Sequence, residues 1–264
     1  MIRHSSFGGN RVLSAALGLL SPRFKILAYH SVAKQSRDPF EISTQMFTQQ
    51  MQVLSDEGYR VVSLEQGCLE VRTGRIRNKT IVITFDDGFR GLQDHVFPLL
   101  EKYQFPATVF VPFDYVGGID CFSYKQPRPD FEILTHSEMK SSMRSGISYG
   151  SHTMSHVDLT QTSDKALNYE LNESKKYLND LLKTKFSPLA YPFGMFDERV
   201  KLAATNAGYD CSVCFGNILS NSKYTQLFEL KREKILETTE LDSFRSLINV
   251  SNDLFRKTKN YLKK

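Results

Sequence analysis

The stretch Thr80-Ile81-Val82-Ile83-Thr84-Phe85-Asp86-Asp87-Gly88 decides the fold of this chain. Its first six residues are almost all apolar or β-branched, which predicts a strand that is buried on both faces of a parallel sheet. Two adjacent carboxylates follow at the end of that strand, where like charges repel each other in a low dielectric. A bound cation or a shared proton would relieve this repulsion, although Asp-Asp-Gly alone is also common in turns.

Short β-rich runs alternate with helical patterns on both sides of this stretch. Further strands are predicted at residues 25–30, 59–62, 107–111, 147–150, 188–191, 209–215 and 230–235. Helices are predicted around residues 92–103, 164–182, 197–207 and 241–255, with capping boxes at 63–66 and 135–138. This alternation predicts an α/β protein, an irregular (β/α) barrel of about seven strands. The segment 112–130, rich in Gly, Pro and aromatic residues, is expected to be a long loop over one end of the sheet.

Two histidines follow the predicted strand at residues 147–150. His152 and His156 are four residues apart, so on a helical turn both imidazoles would project to one side and could bind one ion. The spacing also occurs by chance, in histidines that only pack in the core or on the surface. With Asp87 the set becomes two imidazoles and one carboxylate, which leaves a coordination position for water or substrate. Because the carboxyl ends of parallel strands meet at one edge, the combination predicts a metal site there.

Two motifs resemble those of a known family. Thr84-Phe85-Asp86-Asp87-Gly88 and Ser151-His152-Thr153-Met154-Ser155-His156 resemble the first two motifs of the polysaccharide deacetylase family, also called the NodB-homology or carbohydrate esterase family 4 domain. The likeness covers roughly residues 26–235 and includes Tyr191-Pro192-Phe193-Gly194 as the third motif. Tyr29-His30-Ser31 and the YPxG form of the third motif are most similar to the branch that acts on poly-N-acetylglucosamine exopolysaccharides.

The resemblance implies a role for each residue of the first two motifs. Asp87, His152 and His156 would bind a divalent metal, commonly zinc in this family. Asp86 would be the general base that takes a proton from the metal-bound water. The metal would make that water a nucleophile near neutral pH and would polarise the acyl carbonyl. Thr153 would steady the loop that carries the histidines.

The remaining site residues are assigned from the third motif and from two departures from the family pattern. The backbone N–H of Phe193 would help to hold the oxyanion of the tetrahedral intermediate, beside Tyr191 and Pro192. Many members carry an Arg at the start of this motif, whereas this chain does not, so Arg232 is the candidate for orienting the base. No histidine follows His156, and His30 is therefore the candidate general acid, with a buried histidine bonded to backbone as the alternative.

These residues point to the hydrolytic removal of N-acetyl groups from amino sugars of a polysaccharide or oligosaccharide. An alternative keeps the metal chemistry but takes a small amide or ureide as its substrate. A polymer requires an open groove and a small amide requires a closed pocket, and segment 112–130 would decide between them. A further alternative is a carbohydrate-binding pseudoenzyme, against which the presence of all three metal ligands and the base argues.

Composition limits the other classes of partner. The chain has 34 Lys and Arg against 29 Asp and Glu, a formal net charge of +5, and much of the excess lies in the basic tail at residues 256–264. A solvated helix end explains that tail, with contact to a membrane surface or an acidic polymer as the alternative. No nucleic-acid module accompanies it, so nucleic acid is not an expected partner. Cys211 and Cys214 form a lone CxxC on a predicted strand, where they would face opposite sides.

Two regions are expected along the chain: an N-terminal segment at residues 1–24 and a single catalytic domain at residues 25–264. The apolar run at residues 12–20 is long enough for the core of a signal peptide and too short to span a bilayer. Ser21-Pro22-Arg23 is a poor cleavage site, so a weak export signal and a short amphipathic helix both stay open. The expected location is the cell envelope after export, or the cytoplasm close to the membrane.

Overall fold

The computed structural model describes residues 21–123, 126–216 and 220–252. Residues 1–20 and the basic tail lie outside this part of the chain, so their signal-like, amphipathic or membrane-contacting character stays a prediction. Within the described residues, no helix combines the length and the apolar character that crossing a bilayer requires.

The described chain alternates strands and helices, as predicted. The strands are β1 (Phe24–Tyr29), β2 (Ser31–Ala33), β3 (Glu41–Ser43), β4 (Arg60–Val62), β5 (Thr80–Phe85), β6 (Ala107–Val111), β7 (Ile119–Asp120), β8 (Arg128–Glu132), β9 (Ile147–Ser151), β10 (Pro188–Ala190), β11 (Cys211–Cys214), β12 (Leu230–Lys231) and β13 (Glu233–Lys234). The helices are α1 (Thr44–Asp56), α2 (Leu64–Thr73), α3 (Gly91–His95), α4 (Phe97–Tyr103), α5 (His136–Ser142), α6 (Asp164–Tyr177), α7 (Glu198–Asn206) and α8 (Leu241–Ile248).

The main sheet is parallel and nearly closes on itself. Its strand order is β12-β11-β10-β9-β6-β5-β1-β13, with β4 paired to the first half of β5. The two edge strands, β12 and β13, are separated in the chain by Arg232 alone. One extended segment therefore pairs first with β11 and then with β1, which joins the two edges of the sheet. Counted this way the barrel has seven strands, and the predicted irregular (β/α) barrel is confirmed.

Apolar side chains fill both faces of the sheet. Ile26, Val82 and Phe110 of β1, β5 and β6 belong to one buried cluster inside the barrel, to which α2 also contributes. Side chains at the alternate positions of these strands, such as Ile81 and Ile83, pack outward in the larger cluster that the helices cover. The strand at residues 80–85 is thus buried on both sides, as its composition predicted.

Local sequence signals place most helix ends correctly. Thr135 forms the predicted capping box with Glu138, and Ser63 accepts a hydrogen bond from the backbone N–H of Gln66. The single helix predicted around residues 92–103 is wrong, because the chain forms α3 and α4 with a break at Val96. Pro98 lies in the first turn of α4, where its missing N–H is tolerated, and it would interrupt a continuous helix.

Two further predictions are wrong, and the predicted orientation of Cys211 and Cys214 is confirmed. The segment 112–130 is not a structureless loop, because β7 and β8 pair antiparallel within and just beyond it. The last helix ends at Ile248 within the described residues, rather than near residue 255. Cys211 packs in the cluster inside the barrel and Cys214 in the outer one, so the two face opposite sides of β11, as predicted.

The turn after β5 requires glycine at position 88. A substitution there tests how closely this turn packs against Val111. Gly88 has φ +69°, and an added Cβ would lie 2.9 Å from Val111 Cγ2. Gly58 has φ +68° and no atom within 4 Å of such a Cβ, so it is a matched control. We expect Gly58→Ala to lower the free energy of unfolding by about 1–2 kcal/mol. Gly88→Ala should lose roughly 1–3 kcal/mol more through steric overlap.

Urea unfolding of the two variants measures both effects. Equal losses for Gly58→Ala and Gly88→Ala would show that the contact with Val111 relaxes without cost.

Candidate metal centre and active site

The two aspartates after β5 begin the site. The backbone N–H of Asp86 donates to the carbonyl of Tyr29 at 2.9 Å, so pairing with β1 continues one residue past the strand. Asp87 then adopts φ +69°, and both aspartate side chains are buried. This sharp change in backbone direction separates two neighbouring carboxylates, which face different partners.

Asp87, His152 and His156 converge as predicted. One ligand atom from each residue lies within 4.8 Å of the others. Asp87 Oδ1 is 3.8 Å from His152 Nε2 and 3.6 Å from His156 Nε2. Ligands of one tetrahedral zinc ion, at the usual bond lengths of about 2.0–2.1 Å, are separated by roughly 3.3 Å. The three atoms therefore lie farther apart than the ligands of a bound ion, and a bound ion would draw them together.

The electrostatics of this cluster fit a divalent cation. Burial, together with the charges of Asp86 and Asp120, raises the pKa of Asp87 well above its ordinary value. Burial also lowers the pKa of His152 and His156, so both imidazoles are held in the neutral form that binds a metal. A cation between these groups would stabilise the charged form of Asp87 and would leave the imidazoles neutral.

The loop that carries the histidines is not the helical turn expected from their spacing. Residues 152–158 have no helical assignment, and Thr153 and His156 have φ +70° and +58°. The imidazoles converge because the backbone reverses direction at these two residues. Thr153 Oγ1 accepts the backbone N–H of His156 at 3.0 Å, so the predicted supporting residue does contact this loop. His152 Nδ1 donates to the carbonyl of Ala190 at 2.8 Å, which leaves its Nε2 available as a ligand atom.

Asp86 is paired with Arg232, the residue that sequence analysis proposed from the missing motif arginine. Arg232 Nη1 and Nη2 donate to the two carboxylate oxygens of Asp86 at 2.6 and 2.7 Å. Arg232 is 0% exposed, and its guanidinium also contacts the hydroxyl of Thr84 and the ring of Phe215. Burial alone would raise the pKa of Asp86, but Arg232, together with His152 and His30, holds that pKa below its ordinary value. Asp86 is therefore a carboxylate near neutral pH.

His30 lies beside Asp86 and lines the same cavity as His152 and His156. His30 Nε2 is 4.0 Å from Asp86 Oδ2, and its ring packs 4.8 Å from that of Phe40. Burial lowers the pKa of His30 to about 4, against the attraction of Asp86, so the imidazole is neutral at pH 7. The alternative prediction of a backbone-bonded histidine receives no support, because its buried Nδ1 has no hydrogen-bond partner within the described residues.

The third motif brings one of its three predicted residues to the site. Phe193 has φ +59°, is 55% exposed, and its ring lies 4.8 Å from that of His156. Tyr191 and Pro192 are buried, and the Tyr191 hydroxyl donates to the carbonyl of Phe228 on the outer side of the sheet. Any contribution of Tyr191 and Pro192 must therefore come through the backbone and not through their side chains.

Comparison with known proteins agrees with this geometry. The sequence profile of the polysaccharide deacetylase family matches residues 73–212, which contain both aspartates, both histidines and the third motif. The chain belongs to the polysaccharide deacetylase family.

Relatives with curated names come from the same family. YxkH of Bacillus subtilis (strain 168), a protein named after this family, is 28% identical over 192 residues, which are 72% of this chain and 64% of that protein. A poly-beta-1,6-N-acetyl-D-glucosamine N-deacetylase of Staphylococcus aureus (strain MRSA252) is 22% identical over 64% of this chain and 59% of its own length. The chain thus spans about three fifths of the length of these two relatives.

Solved structures share the fold. The Streptococcus pyogenes deacetylase PplD in complex with acetate superposes with a TM-score of 0.75 at 26% identity, over 87% of this chain and 99% of that one. The de-N-acetylase of Aggregatibacter actinomycetemcomitans superposes with a TM-score of 0.74 at 20% identity, over 85% and 99% of the two chains. The second likeness concerns the fold alone.

In this member of the polysaccharide deacetylase family the site residues form one wall of a cavity of about 260 Å³. The other walls are formed by residues that were not predicted from the sequence to belong to the site. These are Ser31, Asp38, Phe40, Glu41, Phe89, Ser123, Arg128, Phe131, Phe215 and Lys234. Segment 112–130 was expected to be functional, and it does supply part of this wall, but its individual residues carried no recognisable motif.

Arg128 joins two sides of the cavity mouth. Its guanidinium pairs with Asp38 at 3.1 Å and with Asp120 at 3.2 Å, and it stacks 3.5 Å from the ring centroid of Phe131. Asp38 lies between β2 and β3, whereas Asp120 and Phe131 belong to β7 and β8. The side chain therefore holds the β7–β8 hairpin against the chain that follows His30, and it fixes the width of the cavity.

The Asp86–Arg232 pair makes a specific prediction for stability. Arg232→Met would leave the Asp86 carboxylate buried without its partner, so we expect the free energy of unfolding to fall by roughly 3–5 kcal/mol. Adding Asp86→Asn removes that charge, so the double variant should be more stable than Arg232→Met alone. Urea unfolding with a chelator present, so that no cation compensates, measures both. A double variant no more stable than the single one would contradict this account of the pair.

Proposed function

We propose that this protein is a metal-dependent hydrolase that removes N-acetyl groups from amino sugars of a polysaccharide. The observation that carries the proposal is the convergence of two neutral imidazoles and one carboxylate beside a second carboxylate that Arg232 keeps ionised. Family membership and the deacetylase names of the relatives support the same reaction and the same class of substrate.

Asp87, His152 and His156 would hold the metal, and we propose zinc because its usual ligands are imidazole and carboxylate. When bound, the metal supplies a Lewis acid that polarises the acetyl carbonyl and lowers the pKa of the attacking water. The ligand set uses three residues, so it leaves room for water and substrate.

Asp86 would act as the general base. Arg232 holds both carboxylate oxygens in a fixed plane, yet each oxygen keeps a second lone pair that can accept a proton from water. Because the pKa of Asp86 is held low, the carboxylate is already ionised in the resting enzyme and needs no further activation. Arg232 therefore orients the base and keeps it charged.

His30 would protonate the leaving amine. Because its pKa is about 4, the imidazole enters the reaction neutral and must gain its proton during the reaction. Asp86 Oδ2, 4.0 Å away, would pass on the proton that it takes from water. The backbone N–H of Phe193 would stabilise the oxyanion of the tetrahedral intermediate, while its exposed ring borders the cavity.

Acetate release from N-acetylglucosamine oligomers of several lengths tests the reaction and the substrate size together. We expect release with added zinc and its loss with a chelator, because the water is activated only at the loaded site. Simple amides and ureides in parallel assays test the small-substrate alternative. If oligomers bind but neither they nor the small amides are cleaved with any divalent metal, the protein is a binding module and the proposal is wrong.

The two kinds of residue at the site can be separated by substitution. Asp86→Asn should retain the metal and lower kcat by roughly 10²–10⁴-fold, the size of a general-base contribution. His152→Ala should lose the metal itself, because a ligand is removed. Metal content by atomic absorption and kcat are measured for each variant, with Asp242→Asn on the exposed face of α8 as control. Wild-type turnover in Asp86→Asn would refute the role of that residue.

A further inference from the structure

The histidine loop, residues 152–156, is anchored by a carboxylate from outside the barrel. Glu170 of α6 is 6% exposed, and its Oε2 accepts the backbone N–H groups of Met154 and Ser155 at 2.8 and 3.0 Å. Its Oε1 accepts the hydroxyl of Ser155 at 2.5 Å. Met154 and Ser155 are neighbours in the three-residue span that separates His152 from His156.

This loop needs an anchor because its backbone is strained. The described residues include seven non-glycine residues with positive φ, and four of them, Asp87, Thr153, His156 and Phe193, belong to the site. Each such residue costs about 1–3 kcal/mol and persists only where the surroundings hold it. Two of the four, Thr153 and His156, belong to the histidine loop, so it would relax to another path without external hydrogen bonds.

The loop is held on both of its backbone edges. Its carbonyls at Thr153 and Met154 accept the backbone N–H groups of Phe113 and Asp114, at 3.2 and 3.0 Å. Glu170 binds the N–H groups that point the other way. A carboxylate has only acceptors, so it suits two N–H donors and one hydroxyl at once.

Glu170 itself lies on a rigid element. Leu167 and Leu171, on either side of it in α6, are buried in the outer core cluster. The hydroxyl of Ser174 bonds to the carbonyl of Glu170 and to the hydroxyl of Tyr209, which follows α7. Because α6 is packed against the outer core, Glu170 holds the loop in a fixed position.

We propose that Glu170 is a positioning residue that sets the spacing of His152 and His156 and thereby the affinity and geometry of the metal centre. The inference rests on the proposed metal-dependent function, and it adds a residue that neither the three motifs nor the ligand set includes. Glu170 touches neither substrate nor metal. It acts through the backbone of Met154 and Ser155.

Two variants at this position and one control on the same helix separate geometry from charge. Glu170→Met has a similar length but no acceptor, so zinc affinity should fall roughly 10–100-fold, as for other residues that support ligands. Glu170→Gln can place its carbonyl oxygen against both N–H groups and its amide against the Ser155 hydroxyl, so it should stay within about threefold of wild type. Glu173→Met, on the exposed side of the same helix, is the matched control and should bind zinc as wild type does.

Chelator competition gives the dissociation constant for zinc, and the visible spectrum of the Co²⁺-substituted protein reports the ligand geometry. We expect an altered Co²⁺ spectrum for Glu170→Met only. If that variant does not fold, Ser155→Ala removes the hydroxyl contact alone and should weaken zinc binding by about 2–10-fold. In either variant, circular dichroism of the metal-free protein shows whether the fold is kept.

Two results would overturn the inference. Wild-type zinc affinity and Co²⁺ spectrum in folded Glu170→Met would show that the loop holds its path without Glu170. Equal losses in Glu170→Gln and Glu170→Met would show that charge, and not the position of the loop, sets the affinity. A wild-type protein that binds no metal would instead refute the proposed function, so the two failures are distinguishable.

Discussion

The buried ion pair between Asp86 and Arg232 is the interaction on which the rest of the site depends. It joins the end of β5 to the segment that closes the barrel, and both side chains are withdrawn from water. A buried pair of this kind contributes little net stability compared with apolar residues, but losing one partner is strongly unfavourable. Its presence is therefore better explained by the constraint it places on Asp86 than by a gain in stability.

The two adjacent aspartates show how one turn of backbone creates two chemical environments. Asp86 faces a guanidinium, which lowers its pKa. Asp87 faces two imidazoles, and burial together with the charges of Asp86 and Asp120 raises its pKa. Asp86 is thus ionised near neutral pH, whereas a bound cation would favour the ionised form of Asp87. This difference supports the proposed roles of base and ligand for two residues of identical chemistry.

Much of the fold and the centre of the site could be predicted from sequence because their signals are local or familiar. The apolar strand at residues 80–85 needs no partner to be recognised, and the histidine pair lies in a known motif. The break at Val96, the β7–β8 hairpin and the path of the histidine loop depend on packing that no short window of sequence contains. Glu170 is the clearest case, since a Glu inside an amphipathic helix resembles any solvated residue until the loop is placed against it.

The switch of partner strands at Arg232 has a consequence for how the site assembles. The chain supplies the three proposed metal ligands long before it supplies this arginine, so an incomplete barrel would already be able to capture an ion. Asp86, the proposed base, acquires its fixed orientation only when the final strand docks between β11 and β1. Hydrolytic competence would then be the last property to appear during synthesis, and a partly assembled chain would carry a cation without being able to use it.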